Sequence, residues 1–144
     1  MNTESKELLQ KILRQNGHSI TTARLSVCDL LWDKEPQTMA ELARNAIGTL
    51  DRASLYRTIS LYEQLGIVQR IYIGWKYKIE LSDIFTHHHH HISCLQCGKV
   101  SSITEEDAIE KLITEIATKH GFIAQQHQLE VRGYCKTCAS TNSI

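Results

Sequence analysis

Two Cys-x-x-Cys pairs constrain the fold of this chain more than any other feature. The pairs are Cys94 with Cys97 and Cys135 with Cys138, and residues 98–134 lie between them. Each pair can form a turn that presents two thiolates, and four thiolates satisfy a tetrahedral zinc ion. We therefore expect a structural zinc site that ties two distant parts of the chain together. The alternative interpretation is four free thiols in turns.

A run of five histidines lies just before the first cysteine pair, in the segment HHHHHISC. We predict a β-strand here, and alternate side chains of a strand point to opposite faces. One strand can therefore supply ligands to two separate metal sites. Two other interpretations are a solvated polar run and the remnant of a purification tag. The two faces would carry His87, His89 and His91, and His88 and His90.

Residues elsewhere in the chain can complete each set of histidines. The two expected ligand sets are His88, His90, Glu110 and His127, and Glu80, His89 and His91. Imidazole and carboxylate ligands suit several divalent metals, including Zn(II), Fe(II) and Mn(II). Glu80 precedes a predicted hinge and its two histidines follow it. Metal bound by the second set would therefore draw two domains together.

The first eighty residues show the pattern of short helices followed by a hairpin. Apolar residues at helical spacing predict helices over 5–17, 21–32, 39–47 and 51–66. The third of these begins with a capping box, Thr38-x-x-Glu41. The segment 67–81 alternates with period two around a turn at Gly74 and Trp75, which predicts a β-hairpin. This order of elements is typical of a winged helix-turn-helix.

The helix predicted over 51–66 has a polar face near its start, opposite its apolar face. In a winged helix-turn-helix this helix would enter the major groove of DNA, with arginine and tyrosine contacting bases and phosphates. Lys76 and Lys78 of the hairpin would meet the phosphate backbone. Taken alone, the polar face could be an ordinary solvated surface. Its residues are Arg52, Ser54, Tyr56, Arg57 and Ser60.

The rest of the chain predicts a small domain of strands over 87–94, 99–103 and 127–135, with a helix over 105–121 after the second strand. A unit of this size has half-exposed apolar faces, and dimerisation would supply the missing burial. The predicted fold class is thus α+β. We expect a winged-helix DNA-binding domain over 1–82, a hinge over 83–86, and a metal-binding α/β dimerisation domain over 87–144.

The formal net charge of the 144 residues is zero. Neither half is basic, so DNA binding would need a local patch, duplicated by a homodimer. No apolar run is long enough to span a bilayer and no signal peptide is evident, so we expect a cytoplasmic protein without a membrane partner. Cys28 stands outside the pairs and is expected to pack as a small buried hydrophobe.

Three other classes of function were weighed against DNA binding. An enzyme is disfavoured because the chain has no deaminase signature, no Ser/His/Asp arrangement and no glycine-rich phosphate loop, so we expect no small-molecule substrate. A redox sensor would use the paired thiolates. A protein-interaction module would use a winged helix that does not bind DNA.

The segments ASLYRTISLYEQLGIV, HHHHHISCLQCGKV and CKTC together resemble the ferric uptake regulator family, the Fur/Zur metalloregulators, from about Gly17 to Cys138. The resemblance implies a homodimeric, metal-activated repressor of metal-uptake genes that binds an operator in double-stranded DNA. It implies that Tyr56 and Arg57 contact DNA and that Arg24 lies near the backbone. It assigns the four paired cysteines to structural zinc and the two histidine sets to a regulatory and an additional metal site.

The chain departs from the family pattern at several positions. Pro36 or Gln37 stands where many members have a histidine, and Ser102 stands where an acidic ligand often lies. Gln69 is near the position where zinc-sensing relatives often use Asp or His. The resemblance therefore leaves three regulatory ligands, Glu80, His89 and His91.

The fourth regulatory ligand could be Asp83, His87 or water. Peroxide-sensing members favour Asp where this chain has Glu80, which disfavours that branch. The alternative function is a thiol-based redox or peroxide-sensing transcriptional regulator on the same fold. The activating metal stays open between Zn(II), Fe(II) and Mn(II).

Overall fold

A computed structural model describes residues 1–104, 107–125, 127 and 129–141. The chain divides into two compact units, Met1–Thr86 and His87–Ile144. The segment 83–86, predicted to be a hinge, belongs to the first unit, where Phe85 is buried in the apolar core. Its role as a hinge stays a prediction.

The first unit contains four helices, α1 (Thr3–Gln15), α2 (Thr22–Leu31), α3 (Met39–Asn45) and α4 (Arg52–Gln64). Each begins after a residue whose side chain accepts a hydrogen bond from an early backbone amide, which satisfies a donor that the helix leaves unpaired. The predicted capping box at the start of α3 is confirmed. The four N-cap residues are Asn2, Thr21, Thr38 and Asp51.

The predicted hairpin is also confirmed, with strands β1 (Val68–Ile73) and β2 (Lys76–Leu81) pairing antiparallel. Gly74 in the turn has a φ of 58°, which favours glycine. Gln37 exchanges two backbone hydrogen bonds with Ile79, at 2.9 and 2.7 Å. We did not predict this bridge, because a single paired residue leaves no period-two pattern. Helices followed by this hairpin make the first unit a winged helix-turn-helix.

The apolar faces of the four helices and the hairpin enclose one core in the first unit. Cys28 lies in it fully buried, as predicted, and burial raises the pKa of its thiol to about 12. The thiol is therefore protonated at neutral pH and behaves as a small hydrophobe. The buried Tyr62 hydroxyl donates to the Arg24 carbonyl at 2.7 Å, which joins α4 to α2.

The second unit contains strands β3 (His89–Cys94), β4 (Val100–Thr104) and β5 (Glu130–Gly133) and helices α5 (Asp107–Lys119) and α6 (Lys136–Thr141). The sheet order is β4-β3-β5, with β3 antiparallel to β4 and parallel to β5. The predicted ranges of the first and third strands of this unit were too long. β3 begins at His89 instead of His87, and β5 spans four residues of the predicted 127–135, of which Gln128 lies outside the described residues.

Helix α5 is amphipathic, yet none of its residues is buried. Its apolar side chains Leu112 and Ile116 are more than half exposed, as are Phe122 and Ile123 just after it. Such a concentration of exposed apolar side chains is unusual on a monomeric protein. In the part of the chain that the structure describes, the helices are too short and too polar to cross a bilayer.

Candidate metal centres and nucleic-acid interface

The parallel pairing of β3 with β5 brings the two cysteine pairs together. Cys94 is the last residue of β3 and pairs with Gly133, the last residue of β5. Cys135 comes two residues after Gly133 and therefore lies near Cys94. All four Sγ atoms lie within 4.8 Å of one another, and Cys97 Sγ is 3.9 Å from Cys135 Sγ. In a tetrahedral site with Zn–S bonds of about 2.3 Å, the sulfur atoms are about 3.8 Å apart. The residues present therefore fit a zinc ion.

The two pairs are presented by different local structures. The first occupies a turn in which Gly98, with a φ of 70°, donates its amide to the Cys94 carbonyl at 2.9 Å. The second pair was expected in a turn as well, but Cys135 immediately precedes α6 and Cys138 lies in its first turn.

The thiols of this cluster differ in acidity. The Cys135 amide donates to Cys94 Sγ at 3.3 Å, and backbone donors of this kind lower the pKa of Cys94 to about 6. A hydrogen bond that the Cys138 thiol donates to Cys135, together with burial, raises the pKa of Cys138 to about 12. Four thiolates cannot accumulate together without a cation because their charges repel. A bound dication removes this conflict and deprotonates all four.

A second cluster joins His88, His90, Glu110 and His127, as predicted, and lies entirely within the second unit. Nε2 of His88 is 3.0 Å from Nε2 of His127, and Oε1 of Glu110 is 3.1 Å from Nε2 of both His90 and His127. Ligand atoms around a tetrahedral zinc ion with Zn–N bonds of about 2.0–2.1 Å are about 3.3 Å apart. This donor set could therefore hold a divalent metal.

Burial of these polar groups destabilises the folded state when no cation is bound to them. His90 is only 1% exposed, and its Nδ1 has no hydrogen-bond partner among the residues that the structure describes. One oxygen of Glu110 lies within hydrogen-bonding distance of Nε2 of both His90 and His127, so three potential ligand atoms meet at one place. Buried polar groups of this kind are normally paired or bound to metal.

His89 and His91 form a separate pair, with ring centroids 4.8 Å apart. Nδ1 of His89 lies 2.9 Å from the His87 carbonyl. A carbonyl only accepts, so Nδ1 carries the proton and Nε2 carries the lone pair that coordinates metals. His87 precedes β3 and its side chain is exposed, so it lies outside the strand in which it was expected.

Glu80 lies in β2 of the first unit and is 4% exposed. Gln69 stands directly opposite it in β1, and Nε2 of Gln69 donates to Oε1 of Glu80 at 2.7 Å. The Gln37 side chain donates to the Leu30 carbonyl at 2.9 Å and accepts from Asn45 Nδ2 at 2.7 Å. Asp83, a possible further ligand, is exposed.

The candidate DNA-binding residues lie around the start of α4. Arg52, Tyr56 and Arg57 are exposed, and Arg57 Nη2 donates to the half-buried Ser54 Oγ at 3.2 Å. A groove of about 330 Å³ is lined by Arg24, Ser54 and Arg57. The structure thus brings these three predicted residues together.

Arg52 lines a different groove, of about 430 Å³, which also contains Arg44 and Ile47. Sequence analysis did not single out Arg44; its place in the last turn of α3, the helix before α4, could have indicated it. At the tip of the hairpin Trp75 and Lys76 are exposed, and Lys78 is half-buried. Arg70 forms an ion pair with Glu63, so part of the positive charge of the hairpin is neutralised.

Comparison with known proteins identifies the family. The model of the "Ferric uptake regulator family" matches residues 15–132. Ferric uptake regulation proteins of Yersinia pestis (32% identical over 133 residues) and Escherichia coli K12 (33% over 129 residues) are similar to this chain. The matches cover 88% of both chains for the first and 85% of both for the second.

Solved structures show the same fold. The Vibrio cholerae ferric uptake regulator has a TM-score of 0.71 and 30% identity, covering 88% of this chain and 98% of that one. The Helicobacter pylori regulator, described as having three functional metal binding sites, has a TM-score of 0.77 and 22% identity, covering 94% and 91%. This chain belongs to the ferric uptake regulator family and is a metal-responsive, DNA-binding transcriptional regulator.

Proposed function

We propose that this protein is a homodimeric repressor of metal-uptake genes, in which a divalent metal bound through the histidines of β3 promotes operator binding by α4. The observation that carries the proposal is the division of the histidine run into two groups, His88 with His90 and His89 with His91. Each group has its own carboxylate candidate, Glu110 or Glu80. A DNA partner also implies a cytoplasmic protein.

We assign DNA contact to Arg24, Arg52, Ser54, Tyr56 and Arg57. The start of α4 offers backbone amides and the positive end of the helix dipole, both of which favour phosphate. Arg57 and the exposed Tyr56 lie in the N-terminal half of the same helix, where recognition helices contact base edges. The shared groove supports a phosphate-binding role for Arg24 beside Arg57.

We assign structural zinc to Cys94, Cys97, Cys135 and Cys138. Four soft ligands without an open position form a closed site that stabilises the fold. The cluster His88, His90, Glu110 and His127 is assigned as an additional metal site. Its harder donors accept Zn(II), Fe(II) or Mn(II), and availability in the cell decides which one binds.

We assign the regulatory metal to Glu80, His89 and His91, with Asp83, His87 or water as a further ligand. The donor chemistry supports this assignment: a buried carboxylate in the first unit, and two neighbouring imidazoles in the second. Because the ligands come from both units, a metal held by all three would restrict how the units are arranged. That restriction would set the separation of the two α4 helices in a dimer.

A second copy of this chain is the proposed partner of the exposed apolar surface on the second unit. Leu112, Ile116, Phe122 and Ile123 are exposed together on and after α5. Replacing Leu112 with Glu should shift the protein from dimer to monomer in sedimentation equilibrium. Lys119→Glu on the same helix is the matched control, because it adds charge without removing an apolar contact. If the dimer of Leu112→Glu is as stable as that of the wild type, this surface is not the dimer interface.

The metal must bind the DNA-competent arrangement more tightly than the others. Moving a population from 1:99 to 99:1 needs about 5.5 kcal/mol of differential binding. Two imidazoles and one carboxylate, all unprotonated in the bound form, are the groups that would supply it.

The experiment that tests the proposal measures fluorescence anisotropy of a labelled duplex, selected from a random library by the metal-loaded protein. Protein that retains structural zinc is titrated with Zn(II), Fe(II) or Mn(II) under anaerobic conditions. We expect at least one metal to raise DNA affinity in the wild type and to have no effect in a His89→Ala/His91→Ala variant. His120→Ala, an exposed histidine outside both groups, is the control. If none of the three metals changes the DNA affinity of the wild type, the protein is not a metal-dependent repressor.

A further inference from the structure

Gln69 and Glu80 form a cross-strand pair in the hairpin of the first unit. The two residues are directly opposite each other in the β1–β2 register, and the Gln69 amide donates to Glu80 Oε1 at 2.7 Å. Glu80 is 4% exposed and Gln69 is half-buried, so water competes little for this hydrogen bond. A hydrogen bond to a carboxylate is stronger in such surroundings than at the surface.

The strand pairing keeps the two side chains opposite each other, and the Gln69 amide is the donor because a carboxylate can only accept. Both residues lie inside paired strands, so neither backbone can turn to release the other. An amide N–H donor is neutral, so it orients the carboxylate without balancing its charge. Oε1 of Glu80 thus already accepts a hydrogen bond, and a metal that used both oxygens would have to compete with it.

We propose that Gln69 is a positioning residue that makes Glu80 a one-oxygen ligand and thereby sets the metal preference of the regulatory site. This inference rests on the proposed role of Glu80 as a ligand. A carboxylate that binds through one oxygen favours low coordination number, whereas binding through two oxygens favours the larger number that suits harder metals. Gln69 therefore biases the site toward four-coordinate Zn(II) and away from Mn(II).

A purely structural role for Gln69 would predict something different. If its amide only stabilised the hairpin, removing it would lower the melting temperature of the first unit and would weaken all metals alike. A positioning role predicts a change in the ratio of metal affinities and in the coordination number of the bound ion.

The test uses full-length protein with structural zinc, in a His88→Ala/His127→Ala background that silences the additional site. Gln69→Met keeps the length of the side chain and removes the donor; Gln69→Leu is a second donor-free variant in case the first does not fold. Gln64→Met, an exposed glutamine at the end of α4, is the matched control. The probes are Co(II), whose visible absorption is strong when four-coordinate and weak when six-coordinate, and competition between Zn(II) and Mn(II).

We expect the donor-free variants to lose Co(II) absorption intensity and to lower the ratio of Zn(II) to Mn(II) affinity by about tenfold, the lower end of the effect of removing a hydrogen bond to a metal ligand. An unchanged ratio and an unchanged Co(II) spectrum would overturn the inference. Glu80→Ala separates this failure from failure of the proposed function. If Glu80→Ala binds Co(II) as the parent does, Glu80 is not a ligand, and both claims about it fail.

Discussion

The two units of this chain bury different kinds of side chain. Fifteen buried hydrophobic residues form one cluster in the first unit. In the described part of the second unit, six residues are buried: His90, His91, Ser93, Cys94, Val100 and Cys138. Only Val100 among these is a hydrocarbon side chain, and four of the others are candidate metal ligands.

This difference indicates how each unit is stabilised. Hydrocarbon burial stabilises the first unit without any cofactor, because apolar surface leaves water regardless of what else is bound. Buried imidazoles and clustered thiolates destabilise a fold unless they are paired or coordinate a metal. We therefore expect the first unit to fold without metal and the second to depend on metal and on a second copy of the chain.

The largest effect should follow removal of the structural zinc. Cys97→Ser should release the ion and abolish the cooperative unfolding of the second unit, since structural zinc contributes on the order of 10 kcal/mol in zinc-finger peptides. Hydrogen exchange resolved along the sequence should show lost protection in β3 and β5 and retained protection in α1 to α4. Cys28→Ser, a cysteine outside the cluster, should keep its zinc. If β3 and β5 stay protected after zinc is lost, the second unit does not depend on metal for its stability, which would contradict the proposed difference between the units.

The next largest effect should come from a cavity in the apolar core of the first unit. Leu55→Ala should lower the free energy of unfolding of that unit by about 2–5 kcal/mol, because Leu55 is fully buried. Zinc content should not change. Ile47→Ala, an exposed position in the same unit, should change stability by less than about 0.5 kcal/mol. Urea denaturation followed by circular dichroism measures both, and equal effects would show that the core is not the source of stability.

A smaller effect, on binding alone, is expected at α4. Arg57→Ala should weaken DNA binding by about 1–3 kcal/mol while leaving metal affinity unchanged. Arg14→Ala, an exposed arginine in the last turn of α1, is the control for lost positive charge. Anisotropy at several salt concentrations distinguishes the two variants. An equal loss in both would mean that overall charge, and not the α4 surface, determines affinity.

The smallest effect concerns the capping box of α3. The Thr38 backbone amide and hydroxyl donate to Glu41 and lower the pKa of its carboxyl below 4.5. A lowered folded-state pKa stabilises the fold above the unfolded-state pKa, and this contribution disappears as pH falls through the folded-state pKa. Glu41→Gln should therefore be less stable than wild type at neutral pH, by roughly 0.5 kcal/mol at this half-buried surface site.

The comparison is made on the unfolding transition of the first unit between pH 3 and pH 7. The difference in unfolding free energy between wild type and Glu41→Gln should narrow as pH falls. A difference that is constant with pH would mean that the carboxylate charge contributes nothing at this helix start.

Much of the first unit could be predicted because its signals are local. The Thr38–Glu41 capping box, the Asp51 N-cap and the Gly74 turn each fix the backbone within a few residues. The bridge between Gln37 and Ile79 could not be predicted, since its partners are distant in sequence and carry no pattern of their own.

For the second unit, the sequence predicted the grouping of the candidate metal ligands better than it predicted the strand bounds and the strand pairing. Alternation along a strand correctly separated His88 and His90 from His89 and His91. The expectation that Cys135 lies close to Cys94 followed from assigning all four cysteines to one tetrahedral ion. The parallel β3–β5 pairing that brings the two residues together could not be predicted from the sequence pattern. The position of His87 outside β3 was also missed, because a uniform histidine run does not mark where the strand begins.

The measurement that tests the account most directly is a metal-binding isotherm of the full-length protein loaded with zinc at the cysteine cluster, recorded with and without the selected DNA duplex. If metal held by the β3 histidines controls the DNA-binding unit, linkage requires the duplex to tighten metal binding by the same factor by which metal tightens DNA binding. We predict equal factors in the wild type and no effect of the duplex in His89→Ala/His91→Ala. Metal affinity in the wild type that is the same with and without the duplex would contradict the account.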